Sequence, residues 1–135
     1  MILTDAGPLI ALIDRRDPHH SRCVAAASTF HGPLLSTWPA FTEAMYLLGA
    51  AARWSGQEPL WRMIRSGHLL LAETTPTMLV RMPSLMEQYA DVPMDLADAS
   101  LVALAEERGL REVFTLDHDF RVYRLPDGAA FRVVP

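Results

Sequence analysis

The chain has 135 residues, of which 50% are apolar, and 16 acidic against 12 basic side chains give it a formal net charge of −4. All the basic residues are arginines. Lysine is absent, which excludes P-loop nucleotide sites, Schiff-base enzymes and receiver domains in their usual forms, because each needs a lysine amine. Length and composition predict one folded globular domain over residues 1–135.

Cysteine usage and the apolar segments bear on the compartment. Cys23 is the only cysteine, so no internal disulfide can form; a reducing compartment is favoured, and we expect this side chain to be buried. Residues 1–5 lack the basic start of a signal peptide, and the apolar stretch 44–52 is too short to span a bilayer. We therefore expect a cytoplasmic protein without a membrane segment. The acidic balance argues weakly against a nucleic-acid partner.

Short apolar runs alternate with longer helical patterns along the chain. In chain order they predict a strand at 2–4, helices at 7–13 and 18–30, a strand at 34–37, helices at 38–53 and 58–66, a strand at 69–72, helices at 77–89 and 95–108, and strands at 113–116 and 131–134. Pro83 interrupts the helix at 77–89 and predicts a kink or a split. The alternation predicts an α/β fold with a mainly parallel sheet.

Acidic residues cluster near the predicted strand ends. Asp5 directly follows the first strand, Glu43 lies about one turn into the helix after the second, and Asp117 follows the fourth. Asp95 and Asp98 begin the helix before the fourth strand, and their spacing puts them on one helix face. In such folds ligands bind beyond the carboxyl ends of the strands. Gathered carboxylates repel one another, and a hard divalent cation with oxygen ligands is the economical counter-charge.

Each acid also has a structural alternative. Asp5 and Asp95 are suitable helix N-caps, and Asp98 is placed to favour a helix dipole. Asp117 and Asp119 are typical turn residues. A solvated-face role for Glu43 is weak, because its neighbours are apolar. Any one of these roles is ordinary, but four acids near the strand ends of one sheet favour a site. An all-carboxylate site suits Mg²⁺ or Mn²⁺ acting on phosphate esters, and the scattered histidines do not suggest zinc.

The motifs, in their order and spacing, resemble the PIN-domain ribonucleases, and most of all the VapC toxins of bacterial toxin–antitoxin pairs. The resemblance runs from Met1 to about Val134. Its carriers are Ile-Leu-Thr-Asp-Ala-Gly-Pro-Leu-Ile at 2–10, Thr-Glu at 42–43, Met-Asp-Leu-Ala-Asp-Ala-Ser-Leu-Val-Ala at 94–103 and Thr-Leu-Asp-His-Asp-Phe at 115–120.

The resemblance implies a fold and a mechanism. The family fold is a three-layer α/β/α sandwich with a central, mainly parallel sheet. By position, Asp5, Glu43, Asp98 and Asp117 match the acidic quartet that binds one or two Mg²⁺ or Mn²⁺ ions, and a metal-activated water attacks an RNA phosphodiester. In that family Asp5 contacts metal directly, Glu43 and Asp98 position the metal and its water, and Asp117 completes a second or weaker position. Asp95 and Asp119 are neighbours that tune the site.

The resemblance also implies partners: a homodimer, and an antitoxin whose C-terminal segment crosses the active-site groove and often inserts a basic side chain. One position departs from the family, since Gly7 stands where a serine or threonine is common. Thr4, Thr42 and Thr115 remain as hydroxyls able to support the metal-site carboxylates.

Two rival functions remain. One is a degenerate PIN-like module that binds RNA or protein without cutting, which the complete quartet disfavours. The other is a haloacid-dehalogenase-type phosphohydrolase, in which Asp117 and Asp119 would form the nucleophile motif. That motif normally lies on the first strand with a lysine downstream, whereas here it lies late in the chain and the sequence has no lysine.

Arginine is the only fixed cation for RNA in this sequence, and it binds phosphate and stacks on bases. The candidates near the site are Arg15, Arg16, Arg22, Arg121 and Arg124. Trp54 and Trp61, close to arginines, are candidates for an antitoxin or dimer surface. Without the quartet, the remaining acids equal the 12 arginines in number. The net charge therefore says little against an RNA substrate.

Overall fold

A five-stranded parallel sheet forms the centre of the protein, which we describe over residues 1–135 from a computed structural model. The strands are β1 (Ile2–Thr4), β2 (Leu34–Thr37), β3 (Leu69–Ala72), β4 (Glu112–Phe114) and β5 (Arg132–Val134). Their order across the sheet is β3-β2-β1-β4-β5. Leu3 of β1 pairs with Leu35 of β2 and Val113 of β4, so the carboxyl ends of the three central strands meet at one edge.

Six α-helices connect the strands. They are α1 (Ala6–Ile13), α2 (His20–Ala27), α3 (Trp38–Ala52), α4 (Trp54–Arg65), α5 (Pro76–Gln88) and α6 (Leu96–Arg108). Thr37 and Thr75 cap the N-termini of α3 and α5 through their hydroxyls, and each of these helices has a proline in its first turn, where a missing N–H costs nothing. Gly109 ends α6 in the left-handed conformation, with φ of 67°, which a residue without Cβ adopts at no steric cost.

Alternate strand residues face two separate hydrophobic cores. Leu3, Leu35 and Val113 lie in a core that includes residues of α5 and α6. Ile2 and Phe114 lie in a second core that includes residues of α1, α3 and α4. Because successive side chains of a strand point to opposite faces, helices cover both faces of the sheet. The expected α/β class and three-layer α/β/α arrangement are confirmed.

Several details differ from the sequence predictions, and the helix predicted at 58–66 begins four residues earlier, at Trp54. The fourth strand ends at Phe114, two residues early, which leaves Thr115 and Leu116 free to line the site. The helix α2 is shorter than expected and covers only His20–Ala27. Of the kink or split predicted at Pro83, the split is wrong, since α5 continues through this residue as one helix. The predicted burial of Cys23 is confirmed.

None of the six helices combines the length and the apolar character needed to cross a membrane.

Candidate active site

Asp5 lies at the carboxyl end of the central strand, between β1 and α1. Its Oδ1 accepts a 2.7 Å hydrogen bond from the backbone N–H of Ala6, and its Oδ2 accepts a 2.9 Å bond from the hydroxyl of Thr115. Only 7% of the residue is exposed. Asp5 is thus both the helix cap that one interpretation of the sequence suggested and a carboxylate held rigidly at the sheet edge.

Asp98 reaches the same place from the first turn of α6. Tyr123, which is fully buried, donates a 2.6 Å hydrogen bond from its hydroxyl to Oδ2 of Asp98. Asp95 caps the helix, since its Oδ1 accepts a 2.8 Å bond from the backbone N–H of Asp98. The cap therefore fixes the start of α6 and, with it, the position of the Asp98 side chain.

Asp117 completes the group from the turn after β4. Its backbone N–H donates to the Thr115 hydroxyl at 3.0 Å, and its Oδ1 accepts from the backbone N–H of Asp119 at 2.9 Å. The side chain caps a single 3-10 turn, His118–Arg121. Thr115 therefore contacts both Asp5 and Asp117 and ties the ends of β1 and β4 together.

The structure brings three of the four predicted quartet carboxylates into one cluster. One oxygen from each of Asp5, Asp98 and Asp117 lies within 4.8 Å of the other two. The cluster lines a cleft of about 280 Å³ at the carboxyl edge of the sheet. No arginine lines the cleft, so the carboxylates have no protein counter-charge there. Three oxygen donors at this spacing fit a hard divalent cation, which would supply the charge that the protein does not.

Glu43, the fourth predicted member, is placed differently. It lines the cleft together with Asp95, but it does not belong to the close cluster. Both side chains are exposed at its rim. Glu43 is therefore placed at the entrance of the site and apart from Asp98, with which the resemblance had given it a shared role in positioning the metal and its water. Asp119 does not line the cleft and acts on Asp117 through its backbone N–H.

The pKa values of three carboxyl groups in the cleft are raised above their usual range, those of Asp5, Asp98 and Glu43. Burial raises the pKa of Asp5 to about 6, and the charges of Glu43 and Asp117 add to the rise. Burial also raises the pKa of Asp98 to about 8, with further contributions from Asp5, Asp95 and Asp117, although the Tyr123 hydrogen bond opposes them. The pKa of Glu43 is raised by desolvation and by Asp95 and Asp117. A cation among these oxygens favours the ionised forms and reverses the shifts.

Supporting hydroxyls were predicted only in part. Of the three threonines considered, Thr115 contacts the cluster, whereas Thr4 and Thr42 donate to the carbonyl oxygens of Ile2 and Trp38. Tyr123 was missed by the sequence reasoning. The available signal was a tyrosine shortly after a predicted strand, since a buried tyrosine hydroxyl usually requires a polar partner.

Comparisons with known proteins identify the family of the chain. The family model described as PIN domain matches residues 2–125 of the chain. The chain belongs to the PIN domain family. A curated relative, ribonuclease VapC26 of Mycobacterium tuberculosis, is 24% identical over 135 residues, covering 99% of this PIN domain protein and 100% of the relative. The resemblance expected from the motifs is confirmed.

Solved structures of low sequence identity share the fold of this PIN domain. The VapC20 toxin of Mycobacterium tuberculosis, described as cleaving the sarcin–ricin loop, superposes with a TM-score of 0.85 at 14% identity, covering 100% of both chains. A toxin–antitoxin complex from Klebsiella pneumoniae superposes with a TM-score of 0.70 at 23% identity, covering 100% of this chain and 97% of the other. FitAcB of Neisseria gonorrhoeae superposes with a TM-score of 0.58 at 17% identity, covering 87% of this chain and 88% of the other.

Within this PIN domain, the candidate arginines are dispersed. Arg22 and Arg121 line a second cleft beside the acidic one. Arg15 lines a separate depression with residues of α4, and Arg16 is paired with Asp14 at 3.6 Å. Arg124 donates to the backbone carbonyls of the preceding turn. The expectation that all five lie near the site is therefore wrong, because the turn after α1 carries Arg15 away from the sheet edge.

The two candidate tryptophans also differ in environment. Trp61 is half-buried, and its ring packs edge-on against Phe41 at a centroid distance of 5.1 Å. Trp54 is exposed at the start of α4. A third tryptophan, Trp38, is exposed in a groove that shares Glu43 and Asp95 with the acidic cleft. The aromatic surface nearest the site is thus built on Trp38.

Proposed function

We propose that this protein is a metal-dependent endoribonuclease that cleaves RNA phosphodiester bonds. The observation that carries the proposal is the cluster of Asp5, Asp98 and Asp117, whose oxygens lie within 4.8 Å of one another in an open cleft. The family supports the assignment, and the curated relative is a ribonuclease. A degenerate binding module has no need for three carboxylates held together at an energetic cost.

Asp5, Asp98 and Asp117 would hold Mg²⁺ or Mn²⁺, and Glu43 would contribute from the rim. Both oxygens of Asp5 have protein donors, so its orientation is fixed before any ligand arrives. In Asp98 the hydrogen bond from Tyr123 takes Oδ2, which leaves Oδ1 available to a cation. Such preorganisation avoids reorienting the carboxylates during the reaction.

A bound divalent cation supplies two things: it lowers the pKa of an attacking water, and it offsets negative charge on the phosphate. The chain itself positions and orients the groups around the phosphate. Asp5 and Asp98 are almost fully buried, so their charge acts in a low-dielectric wall where it is strong. Glu43, exposed at the rim with a raised pKa, is placed to accept a proton from a water at the cleft entrance.

We further propose that the nuclease is the toxin of a toxin–antitoxin pair and acts as a homodimer in the cytoplasm, with residues 1–135 forming one domain. The proposal is supported by the VapC name of the curated relative and by the toxin–antitoxin complex among the structures that share the fold. An antitoxin segment with a basic side chain suits the negative cleft. Trp54 remains a candidate for a partner surface because its side chain is exposed.

Cleavage and growth assays test these proposals together. The purified protein should cleave single-stranded RNA with Mn²⁺ or Mg²⁺, and EDTA should stop the reaction. Induction of the wild-type gene should arrest growth, and co-expression of the short neighbouring gene should restore it. RNA cleavage that persists in EDTA would contradict the metal-dependent assignment, whereas cleavage without growth arrest would contradict only the toxin role.

A further inference from the structure

A second cleft lies beside the acidic one and carries two arginines, which the acidic cleft lacks. Its volume is about 150 Å³, and its walls carry His19, Arg22, His118 and Arg121. Leu116 and Asp117 line both clefts, so the two are continuous around the turn after β4. Arg22 comes from the start of α2 and Arg121 from the 3-10 turn, and Val133 of β5 lines the same cleft.

The arginines of this cleft form no ion pair with an acidic side chain. Six of the 12 arginines do form such pairs, namely Arg16, Arg62, Arg65, Arg81, Arg111 and Arg132. Arg22 makes a single hydrogen bond, of 3.3 Å from Nη2 to the backbone oxygen of Pro135, the last residue of the sequence, and the side chain of Arg121 makes none. Two guanidinium groups in one cleft repel each other, and an anion bound there removes that cost.

The opposite side of the acidic cleft has no such cations. The groove there is lined by Trp38, Tyr46 and Leu96, together with Glu43 and Asp95, and it contains no arginine or histidine. An RNA strand crossing the acidic cluster therefore meets positive charge on one side only. Arginine is suited to phosphate because its planar fork binds two oxygens at once.

We propose that the cleft of Arg22 and Arg121, with His19 and His118, is a phosphate subsite for the RNA strand. It holds a backbone phosphate on one side of the bond to be cut and thereby places the next phosphate against the carboxylates. The inference rests on the proposed nuclease function. It assigns the backbone contacts of the substrate to the α2 and 3-10 side of the site.

Binding of a fluorescein-labelled single-stranded RNA in EDTA tests the subsite apart from cleavage. The double variant Arg22→Gln/Arg121→Gln should bind at least about tenfold more weakly, as expected for loss of charge-assisted hydrogen bonds. The slope of log affinity against log salt should fall in magnitude by about 0.7 per lost phosphate contact. Arg22→Lys/Arg121→Lys should retain the salt slope, because the charge remains.

Arg53→Gln/Arg108→Gln is the matched control, since it removes the same two charges from the C-terminal ends of α3 and α6, outside both clefts. Equal RNA affinity in the two double glutamine variants would overturn the subsite. Weakened binding of an acidic peptide with unchanged RNA affinity would overturn it too. Cleavage of the same RNA by the wild type with Mn²⁺ is measured in parallel. If the wild type does not cleave, the nuclease function is contradicted. If the wild type cleaves but Arg22→Gln/Arg121→Gln binds the RNA with unchanged affinity, only the subsite is contradicted.

Discussion

Tyr123 and Asp98 are joined in the interior by a hydrogen bond of 2.6 Å from the phenolic hydroxyl to Oδ2 of the carboxylate. The ring of Tyr123 packs edge-on against Phe120 and Tyr89, at centroid distances of 5.1 and 5.0 Å. A side chain held by packing on this scale has little freedom to rotate. Asp98 therefore has one oxygen bound to a rigid donor and the other available for a ligand.

Tyr123→Phe removes the hydroxyl and leaves the ring in place. We expect the Mn²⁺ affinity and the cleavage rate at limiting Mn²⁺ to fall by about 10- to 100-fold, the range for contacts that orient a metal ligand. Metal titration by calorimetry beside cleavage kinetics measures both. Tyr89→Phe is the control, because the Tyr89 hydroxyl accepts from the backbone of Arg124 and does not contact the acids. Unchanged Mn²⁺ affinity in a folded Tyr123→Phe protein would refute a positioning role.

Thr115→Val tests the hydroxyl that connects Asp5 and Asp117. The substitution keeps the shape but leaves Oδ2 of Asp5 without its donor, which costs about 1–3 kcal/mol of stability when that carboxylate is ionised. We expect a lower free energy of unfolding at pH 8 in EDTA, together with weaker Mn²⁺ binding. Thr115→Ser retains the hydroxyl and should behave like the wild type. Equal unfolding and Mn²⁺ binding in the valine and serine variants would show that the hydroxyl is dispensable.

The raised pKa values of Asp5 and Asp98 make the stability of the metal-free protein depend on pH. Both groups have a pKa near 4 when unfolded and about 6 and 8 when folded, so between these values the folded state binds more protons. The contribution of these two groups to stability is complete below about pH 4 and is lost as pH rises through 6 and 8. In EDTA the Tm should decrease from pH 5 to pH 8.

Mn²⁺ should raise the Tm at pH 8 much more than at pH 5, because binding requires ionised carboxylates. Asp98→Asn keeps an acceptor for Tyr123 but cannot ionise. In EDTA, the Tm of Asp98→Asn should fall less between pH 5 and pH 8 than that of the wild type, and at pH 8 it should be the higher of the two. A wild-type Tm that is constant or rises over this pH range would mean that the cluster is not held at an electrostatic cost.

The fold was largely predictable from the sequence because its strands are short, apolar on both faces and separated by capped helices. The start of α6 shows this well: Asp95 is the N-cap, and Gly109 follows the last residue of the helix. The end of β4 was less predictable, since Thr115 and Leu116 are apolar enough to continue a strand. The Thr115 hydroxyl instead makes a tertiary hydrogen bond to Asp5 and accepts a local one from the backbone N–H of Asp117, and the chain turns there.

The site was predictable only as a set of acids near one edge. Residue type and order indicated Asp5, Asp98 and Asp117, but which acids come within coordinating distance depends on side-chain reach, which places Glu43 at the rim. Tyr123 lies 25 residues from Asp98 in the chain, and no local pattern joins them. Arg22 and Arg121 likewise share a cleft only because α2 and the 3-10 turn come together beside β5.

The most direct test of the central claim is the rate of RNA cleavage by Asp98→Asn at saturating Mn²⁺, with Asp91→Asn as the matched control. Asp91 is exposed in the turn before α6 and lies outside the acidic cleft. We expect Asp98→Asn to fold and to lose more cleavage activity than the about 10- to 100-fold attributed to supporting contacts, while Asp91→Asn cleaves like the wild type. Wild-type cleavage by Asp98→Asn would contradict the assignment of the acidic cluster as the catalytic centre.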